Sequence, residues 1–163
     1  MEDGIRFCLG SLMRHHDSLR YVYREGPSGW FQENSGDAVP LLDVVSIGDD
    51  ADLVAHCERL QGEFSLSGGP LFRGCIFRRD EGDLLFLLCH HLVVDGVSWR
   101  ILVEDLSHLY RGMFWGGAMI FLPRQIPMAT GNRALSVIVG VRHCRKSPLT
   151  GLLLIQGIMM ISG

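Results

Sequence analysis

The chain has 163 residues, of which 47 % are hydrophobic and 20 % are charged, so we expect one folded domain, or one lobe of a larger one, and exclude global disorder. The formal net charge of −3 gives no electrostatic basis for binding nucleic acid. Five widely spaced cysteines without a CxxC pair, and no secretory leader, predict reduced thiols in the cytoplasm.

The first half of the chain predicts a helix, a hairpin, a third strand and a second helix. Apolar residues recur at helical spacing over residues 3–16, and the alternation in SLRYVYRE is typical of a half-buried strand with Leu19, Tyr21 and Tyr23 on one face. A GPSG turn and the segment WFQEN predict its hairpin partner. LLDVVSI predicts a further strand, and GDDADLVAHCERLQGEF predicts a helix capped by aspartate at its N-terminus.

Two strands and a long helix follow. LFRGCIFRR and DLLFLLCHH are joined by DEGD, which is a good tight-turn sequence. The consecutive apolar residues of the second segment predict a strand buried on both faces, at the centre of its sheet. VSWRILVEDLSHLYRG predicts an amphipathic helix with Gly112 as its C-cap. This order of elements predicts the α+β fold class.

The charge distribution changes at Gly112. Residues 1–112 contain all 18 acidic residues, whereas residues 113–163 contain none and carry basic residues only. Periodicity also becomes poor, and the terminal apolar run is shorter than the roughly 20 residues of a membrane span, so we predict no transmembrane helix. We therefore expect residues 113–163 to be an atypical basic, apolar tail that is read out of frame or is disordered. The alternative is a genuine but unusual C-terminal segment.

The segment HHLVVDG places two histidines where the predicted buried strand ends. Alternation along a strand directs His90 and His91 to opposite faces, so they cannot easily share one task. Asp95 can accept hydrogen bonds or pair with an arginine, and Gly96 permits a positive φ or the close approach of a ligand. Spacing alone favours structural roles for both imidazoles over a general base. A metal site lacks an HxH, HExxH or CxxC partner, and Ser98 lacks the GxSxG context of a nucleophile.

HHLVVDG resembles the HHxxxDG motif of the condensation-domain superfamily of nonribosomal peptide synthetases. VSWRILVEDL is similar to the epimerization branch of that superfamily, and LMRHHDSLRYVY resembles its RHxxLR segment. GWFQE, GGPLFRGCIFR and GDLLFLLCHHLVVDG also follow in the family's order and spacing, so the resemblance covers residues 5–112. It implies a chloramphenicol acetyltransferase-like lobe with a mixed sheet packed with helices. Family members have an additional first strand and a second lobe, so we expect residues 1–112 to be a partial N-terminal lobe.

The resemblance also implies roles for individual residues. His91 matches the catalytic histidine of the motif, and His90 matches the histidine that is mainly structural. Asp95 matches an aspartate that is usually salt-bridged and keeps the loop in shape, and Gly96 matches a residue beside the channel for a phosphopantetheine arm.

The RHxxLR-like segment supplies the expected partner of Asp95. We predict that Arg14 or Arg20 forms this ion pair, and the alternative for each arginine is a solvated surface charge. His15 and His16 are expected to belong to the end of the first helix, with no catalytic role.

The epimerization branch implies a reaction in which a histidine removes the α-proton of a carrier-bound aminoacyl or peptidyl thioester, and a proton returns on the other face. In a condensation domain, the same histidine assists an amine that attacks a thioester carbonyl. A third alternative is a non-catalytic lobe that binds a carrier protein. The implied partners are a peptidyl carrier protein, which brings the phosphopantetheine, and the missing second lobe. We expect no directly bound metal or cofactor, and little activity from one lobe alone.

Overall fold

The computed structural model describes residues 2–37, 39–80, 82–115, 134–142 and 159–162. Its elements in chain order are α1 (Glu2–His15), a 3-10 turn (Asp17–Arg20), β1 (Tyr21–Gly26), β2 (Gly29–Asn34), β3 (Leu41–Ser46), α2 (Asp50–Gly62), β4 (Phe72–Arg78), β5 (Leu84–His90), α3 (Gly96–Trp115), β6 (Ala134–Arg142) and β7 (Met159–Ser162). Every helix and strand predicted before Gly112 is present. The α+β class is therefore confirmed.

Strand β5 lies inside a mixed sheet. Among the described residues, the strand order of this sheet is β3-β4-β5-β6-β7. The pairs β3–β4 and β5–β6 are parallel, whereas β4–β5 and β6–β7 are antiparallel. All residues of β5 are buried, as the continuous apolar run predicted. The β1–β2 hairpin forms a separate two-stranded antiparallel ribbon.

The two faces of β5 contact different helices. Leu85, Leu87 and Cys89 belong to the larger core cluster, to which α1 and α3 contribute most of the helical residues. Leu84, Phe86 and Leu88 point the other way and join a smaller cluster with Cys57 and Leu60 of α2. Burying each large apolar side chain of this kind contributes about 1.5–3 kcal/mol, so the core holds β5 rigidly in place. Its end is therefore a firm base for a functional loop.

The predicted buried face of α3 is confirmed, because Trp99, Leu102, Leu106, Leu109 and Tyr110 are all buried. The prediction of Gly112 as its C-cap is wrong. The helix continues to Trp115, because an interior glycine costs only about 1 kcal/mol and does not by itself end a helix.

The predicted burial of β1 needs a correction. Leu19 is buried but belongs to the 3-10 turn, so the strand begins only at Tyr21. Val22 is the buried residue of β1, whereas Tyr21 and Tyr23 pack partly buried against the larger core. A Cβ atom added at Gly69 would lie 2.5 Å from Val22 Cγ1. This close approach shows that the segment around Gly69 covers β1 on the side opposite to the one predicted.

Helix length and polarity bear on a membrane location. None of the helices within the described ranges is both long and apolar enough to cross a membrane. The predictions for residues 113–163 fall largely on residues 116–133 and 143–158, which lie outside the described part of the chain. Strands β6 and β7 are the described elements of that region.

Candidate active site at the end of strand β5

The loop between β5 and α3 brings four of the predicted site residues together. Strand β5 ends at His90, residues 91–95 form the connection, and Gly96 is the first residue of α3. The loop is short, and the buried strand and the long helix hold its two ends in place. His90, His91, Asp95 and Gly96 therefore lie within one short connection, as the motif predicted.

Asp95 caps the N-terminus of α3. Its Oδ1 atom accepts hydrogen bonds from the backbone N–H of Val97 at 3.1 Å and of Ser98 at 2.7 Å, and from the Ser98 hydroxyl at 2.6 Å. The hydrogen bond from the Ser98 hydroxyl is the main reason why the pKa of Asp95 is lowered, and the backbone hydrogen bonds act in the same direction. A capping carboxylate satisfies amides that the first turn leaves unpaired. Asp95 thus fixes the junction between the loop and α3.

The prediction that Arg14 or Arg20 pairs with Asp95 is wrong. Arg14 donates to the Ser11 hydroxyl at 3.0 Å, and Arg20 donates to the carbonyls of Met13 and Arg14 and to Asp17. The last carbonyls of a helix have no intrahelical donors, so they attract a nearby guanidinium. Arg20 therefore stabilises the end of α1.

The signal for the capping role was present in the sequence. An aspartate followed three residues later by serine, immediately before an amphipathic segment, is typical of a helix N-terminus.

His90 holds the loop from inside. Its side chain is 4 % exposed, and its ring packs edge-on against Phe64 with 6.2 Å between the ring centroids. Nδ1 accepts a hydrogen bond from the backbone N–H of Leu92 at 3.2 Å. The His90 backbone donates to the carbonyl of Leu71 at 2.9 Å and accepts from the N–H of Val93 at 3.0 Å. These contacts show that the buried imidazole supports the conformation of the loop.

His91 lies on the exposed side of the same loop. Its Nδ1 atom is 2.9 Å from the carbonyl oxygen of Val94, and because a carbonyl can only accept, Nδ1 must carry the proton of this hydrogen bond. In the neutral ring, Nε2 then carries the lone pair. A histidine oriented through one nitrogen in this way presents the other nitrogen as a proton acceptor.

The contact of Tyr23 with the loop between β5 and α3 was not predicted from the sequence. Its hydroxyl lies 3.0 Å from the carbonyl oxygen of Leu92 and 3.0 Å from Oε1 of Gln32, so the β1–β2 hairpin reaches the motif loop. Partial burial, followed by the proximity of Tyr21, raises the pKa of Tyr23, which keeps the phenol protonated as a donor. The weak signal in the sequence was a tyrosine in an alternating strand, where its polar tip needs a partner. Tyr23, His90 and Asp95 thus anchor the loop from three sides.

The surface beside His91 is partly apolar. The side chains of Leu92 and Val97 are 46 % and 62 % exposed, although both are aliphatic. The loop that contains His91 and the first turn of α3 thus each expose a hydrophobic side chain.

Comparisons with known proteins agree with the motif. The family model described as Condensation domain matches residues 3–125. Surfactin synthase subunit 1 of Bacillus subtilis (strain 168) is 43 % identical over 130 residues, which are 76 % of this chain and 4 % of that protein. Tyrocidine synthase 1 of Brevibacillus parabrevis is 39 % identical over 127 residues, which are 74 % of this chain and 12 % of that protein. The chain thus spans only a small part of these multidomain synthases.

Solved structures give the same result for the fold. The epimerization domain from the third module of tyrocidine synthetase B matches with a TM-score of 0.68 and 30 % identity, over 78 % of this chain and 30 % of that chain. The X-domain from teicoplanin biosynthesis matches with a TM-score of 0.60 and 22 % identity, over 77 % of this chain and 27 % of that chain. The chain therefore belongs to the condensation-domain family of the nonribosomal peptide synthetases and has part of that family's chloramphenicol acetyltransferase-like α+β fold.

Proposed function

We propose that this chain contributes the histidine-bearing part of a domain that epimerizes an aminoacyl or peptidyl thioester held on a carrier protein. The hydrogen bond from His91 Nδ1 to the carbonyl of Val94 carries the proposal, because it fixes the tautomer in which Nε2 is the basic nitrogen of the ring. Histidine titrates near neutral pH, which suits a general base in the cell. His91 is then the catalytic residue, and His90, Asp95 and Gly96 shape the loop.

The proposed reaction is a proton transfer at carbon. Nε2 of His91 takes the α-proton, the electron pair of the broken C–H bond moves into an enolate-like thioester, and a proton returns to the opposite face of the same carbon. Nothing is oxidised or reduced, so the reaction needs no redox cofactor. In the family that this chain resembles, the acid for the opposite face is a glutamate in the second lobe. The proposal therefore assigns to this chain one of the two proton-transfer groups.

The proposed partner is a peptidyl carrier protein that brings the substrate on its phosphopantetheine arm. The exposed aliphatic side chains of Leu92 and Val97 support this, because they lie on the same loop and helix start as the motif and offer apolar surface for the alkyl part of such an arm. Gly96, between them, is the residue that the motif places beside the arm. Cys8, Cys57, Cys75 and Cys89 are free, buried thiols, which supports a cytoplasmic location for the chain and its partner.

Two observations favour epimerization over peptide-bond formation. The epimerization domain of tyrocidine synthetase B is 30 % identical, whereas the starter condensation domain of rhizomide synthetase is 17 % identical with a TM-score of 0.56. VSWRILVEDL, which follows the motif, is also similar to the epimerization branch.

Condensation is the second candidate. The matching family model is that of the condensation domain, and the same Nε2 atom could accept a proton from an attacking amine. The third candidate is a non-catalytic lobe that binds carrier protein. The exposure of His91 in one lobe favours low activity of the chain alone, because the reacting thioester would be in contact with bulk water.

The domain organisation is part of the proposal. We propose that residues 1–112 are the partial N-terminal lobe and that residues 113–163, which lack acidic residues, are a tail read out of frame. The alternative of a disordered tail does not hold for residues 134–142 and 159–162, which form β6 and β7. Sequencing the DNA on both sides of the coding region tests this. We expect a second-lobe coding sequence in another frame, and an intact frame with no such sequence nearby would contradict the frame hypothesis.

The activity test uses a carrier-bound L-aminoacyl thioester in heavy water. We expect little deuterium at Cα with the chain alone, and deuterium incorporation when a separately expressed second lobe of a related epimerization domain is added. His91→Ala should abolish this exchange, whereas the matched control His56→Ala, on α2, should leave it unchanged.

Other outcomes select the other candidates. Peptide formation after addition of an amine-bearing carrier would favour condensation. Carrier binding without exchange or peptide formation, with both lobes present, would favour the non-catalytic lobe. Exchange that persists in His91→Ala would contradict the assignment of the base.

A further inference from the structure

A second group of metal-ligating side chains lies away from the motif loop. His15 is the last residue of α1, His16 follows it directly, and Asp105 lies on α3. His16 Nε2 is 2.8 Å from Asp105 Oδ2, and the ligand atoms of all three residues lie within 4.8 Å of one another. Asp105 is nine residues beyond Gly96, which is roughly 14 Å along the helix axis, so this group is separate from His91.

The three residues differ in how deeply they are buried. Asp105 is 6 % exposed, His16 is half-buried, and His15 is exposed. The two imidazole rings are perpendicular, with 4.8 Å between their centroids. A carboxylate this deeply buried needs a positive partner, because an ionised group without one is costly in a protein interior. A divalent cation held by the carboxylate and both imidazoles would supply such a partner.

The donor set suits Zn²⁺. Two imidazole nitrogens and one carboxylate oxygen are ligands that zinc takes, at about 2.0–2.2 Å each, with water in the fourth position of an open site. Tetrahedral geometry at those bond lengths places neighbouring ligand atoms roughly 3.3 Å apart. The ligand atoms of His16 and Asp105 lie 2.8 Å apart, and all three ligand atoms lie within 4.8 Å of one another, so a bound ion requires His16 and Asp105 to separate slightly and the exposed His15 side chain to adjust.

We propose that His15, His16 and Asp105 form a Zn²⁺ site that ties the end of α1 to α3. The sequence had suggested a metal only as an unfavoured alternative at His90 and His91. The new site depends on a contact between residues 89 positions apart in the chain, which no local motif indicates. It does not depend on the proposed epimerization, because none of its residues belongs to the motif loop.

The test is titration of the full chain with Zn²⁺, by calorimetry, and with Co²⁺, by visible absorption. We expect one ion per chain and weak cobalt bands without thiolate charge-transfer absorption, since the ligands are nitrogen and oxygen. His15→Gln should weaken binding at least about tenfold while preserving the far-ultraviolet circular dichroism, because this side chain is exposed. Asp105→Asn should weaken binding by at least as much, and the control His56→Gln should bind like the unchanged chain.

Three results would overturn the site. One is the absence of binding by the folded chain in both titrations, which would leave His16 and Asp105 as a plain ion pair. Another is equal affinity in His15→Gln, Asp105→Asn and the control. The third is cobalt–thiolate absorption, which would assign the ion to cysteines.

Discussion

The chain contains two adjacent histidine pairs, each at the end of a secondary-structure element, and the structure uses them differently. At the end of β5, His90 turns inward to Phe64 while His91 bonds back to its own loop on the exposed side. At the end of α1, the rings of His15 and His16 stay in contact, and His16 reaches a buried carboxylate on another helix. The same dipeptide separates its side chains where a strand ends and keeps its rings in contact where a helix ends.

The backbone differs at the two places. Successive side chains of a strand point to opposite faces, whereas His16 is the first residue beyond α1 and has an extended backbone (φ −106°, ψ 98°), so the helix period does not set the direction of its side chain. One pair is therefore divided between a buried and an exposed side chain, and the other lies together beside one carboxylate. In each pair, one histidine is structural and its neighbour is exposed, but the order is reversed, because His90 and His16 are the inward members.

The largest effect is expected for the histidine pair at the end of β5. His90→Ala leaves a cavity beside Phe64 and removes the acceptor for the N–H of Leu92, so we expect the free energy of unfolding to fall by about 2–4 kcal/mol. His91→Ala should change it by less than about 0.5 kcal/mol, since that side chain is exposed. Denaturant unfolding of the two variants measures the contrast. Equal losses would mean that the two side chains do not differ in their support of the fold.

A smaller effect is expected for the histidine pair at the end of α1. His16→Ala removes the hydrogen-bonding partner of the buried Asp105 carboxylate, so we expect a loss of about 1.5–3 kcal/mol in the free energy of unfolding. His15→Ala should be nearly neutral when both variants are measured with a chelator present to exclude metal. A larger loss in His15→Ala than in His16→Ala would show that the inward and outward members had been exchanged.

The smallest effect tests the loop beside His91 through pH. Because its hydrogen bonds lower the pKa of Asp95 in the folded chain, its capping contribution is complete above the ordinary Asp pKa of about 3.9 and is lost as the pH falls through the lower, folded value. The Tm of Asp95→Asn should therefore lie below that of the unchanged chain at pH 6. The difference should shrink towards pH 3. A difference that stays constant with pH would indicate that the cap does not depend on the charge.

Much of the fold was readable from local patterns. The apolar run of β5, the helical spacing of α3 and the DEGD turn each predicted their element, because hydrophobic period and turn chemistry act over a few neighbouring residues. The motif placed His90, His91, Asp95 and Gly96 in one loop for the same reason. The end of α3 was missed because packing beyond Gly112 outweighed the weak preference of one glycine for a helix end.

The contacts between elements were not readable in this way. Tyr23 and Leu92 are 69 positions apart, and His16 and Asp105 are 89 positions apart, so no window of the sequence contains both members of either contact. The choice of Arg14 or Arg20 for Asp95 failed for a related reason. Arg20 donates to carbonyls at the end of the helix immediately before it, and Asp95 accepts from N–H groups of the helix immediately after it.

The sequence by itself determined the class of fold, the buried strand at its centre and the histidine motif at the end of that strand, because these depend on period and on residue type. Only the tertiary structure decided which histidine of each pair is buried, which ring nitrogen of His91 carries the proton and which residue contacts the Asp105 carboxylate. Those features depend on the packing of α1 against α3 and of the hairpin against the loop. Such packing is a property of the whole folded chain, since every contact in it also depends on the positions of its neighbours.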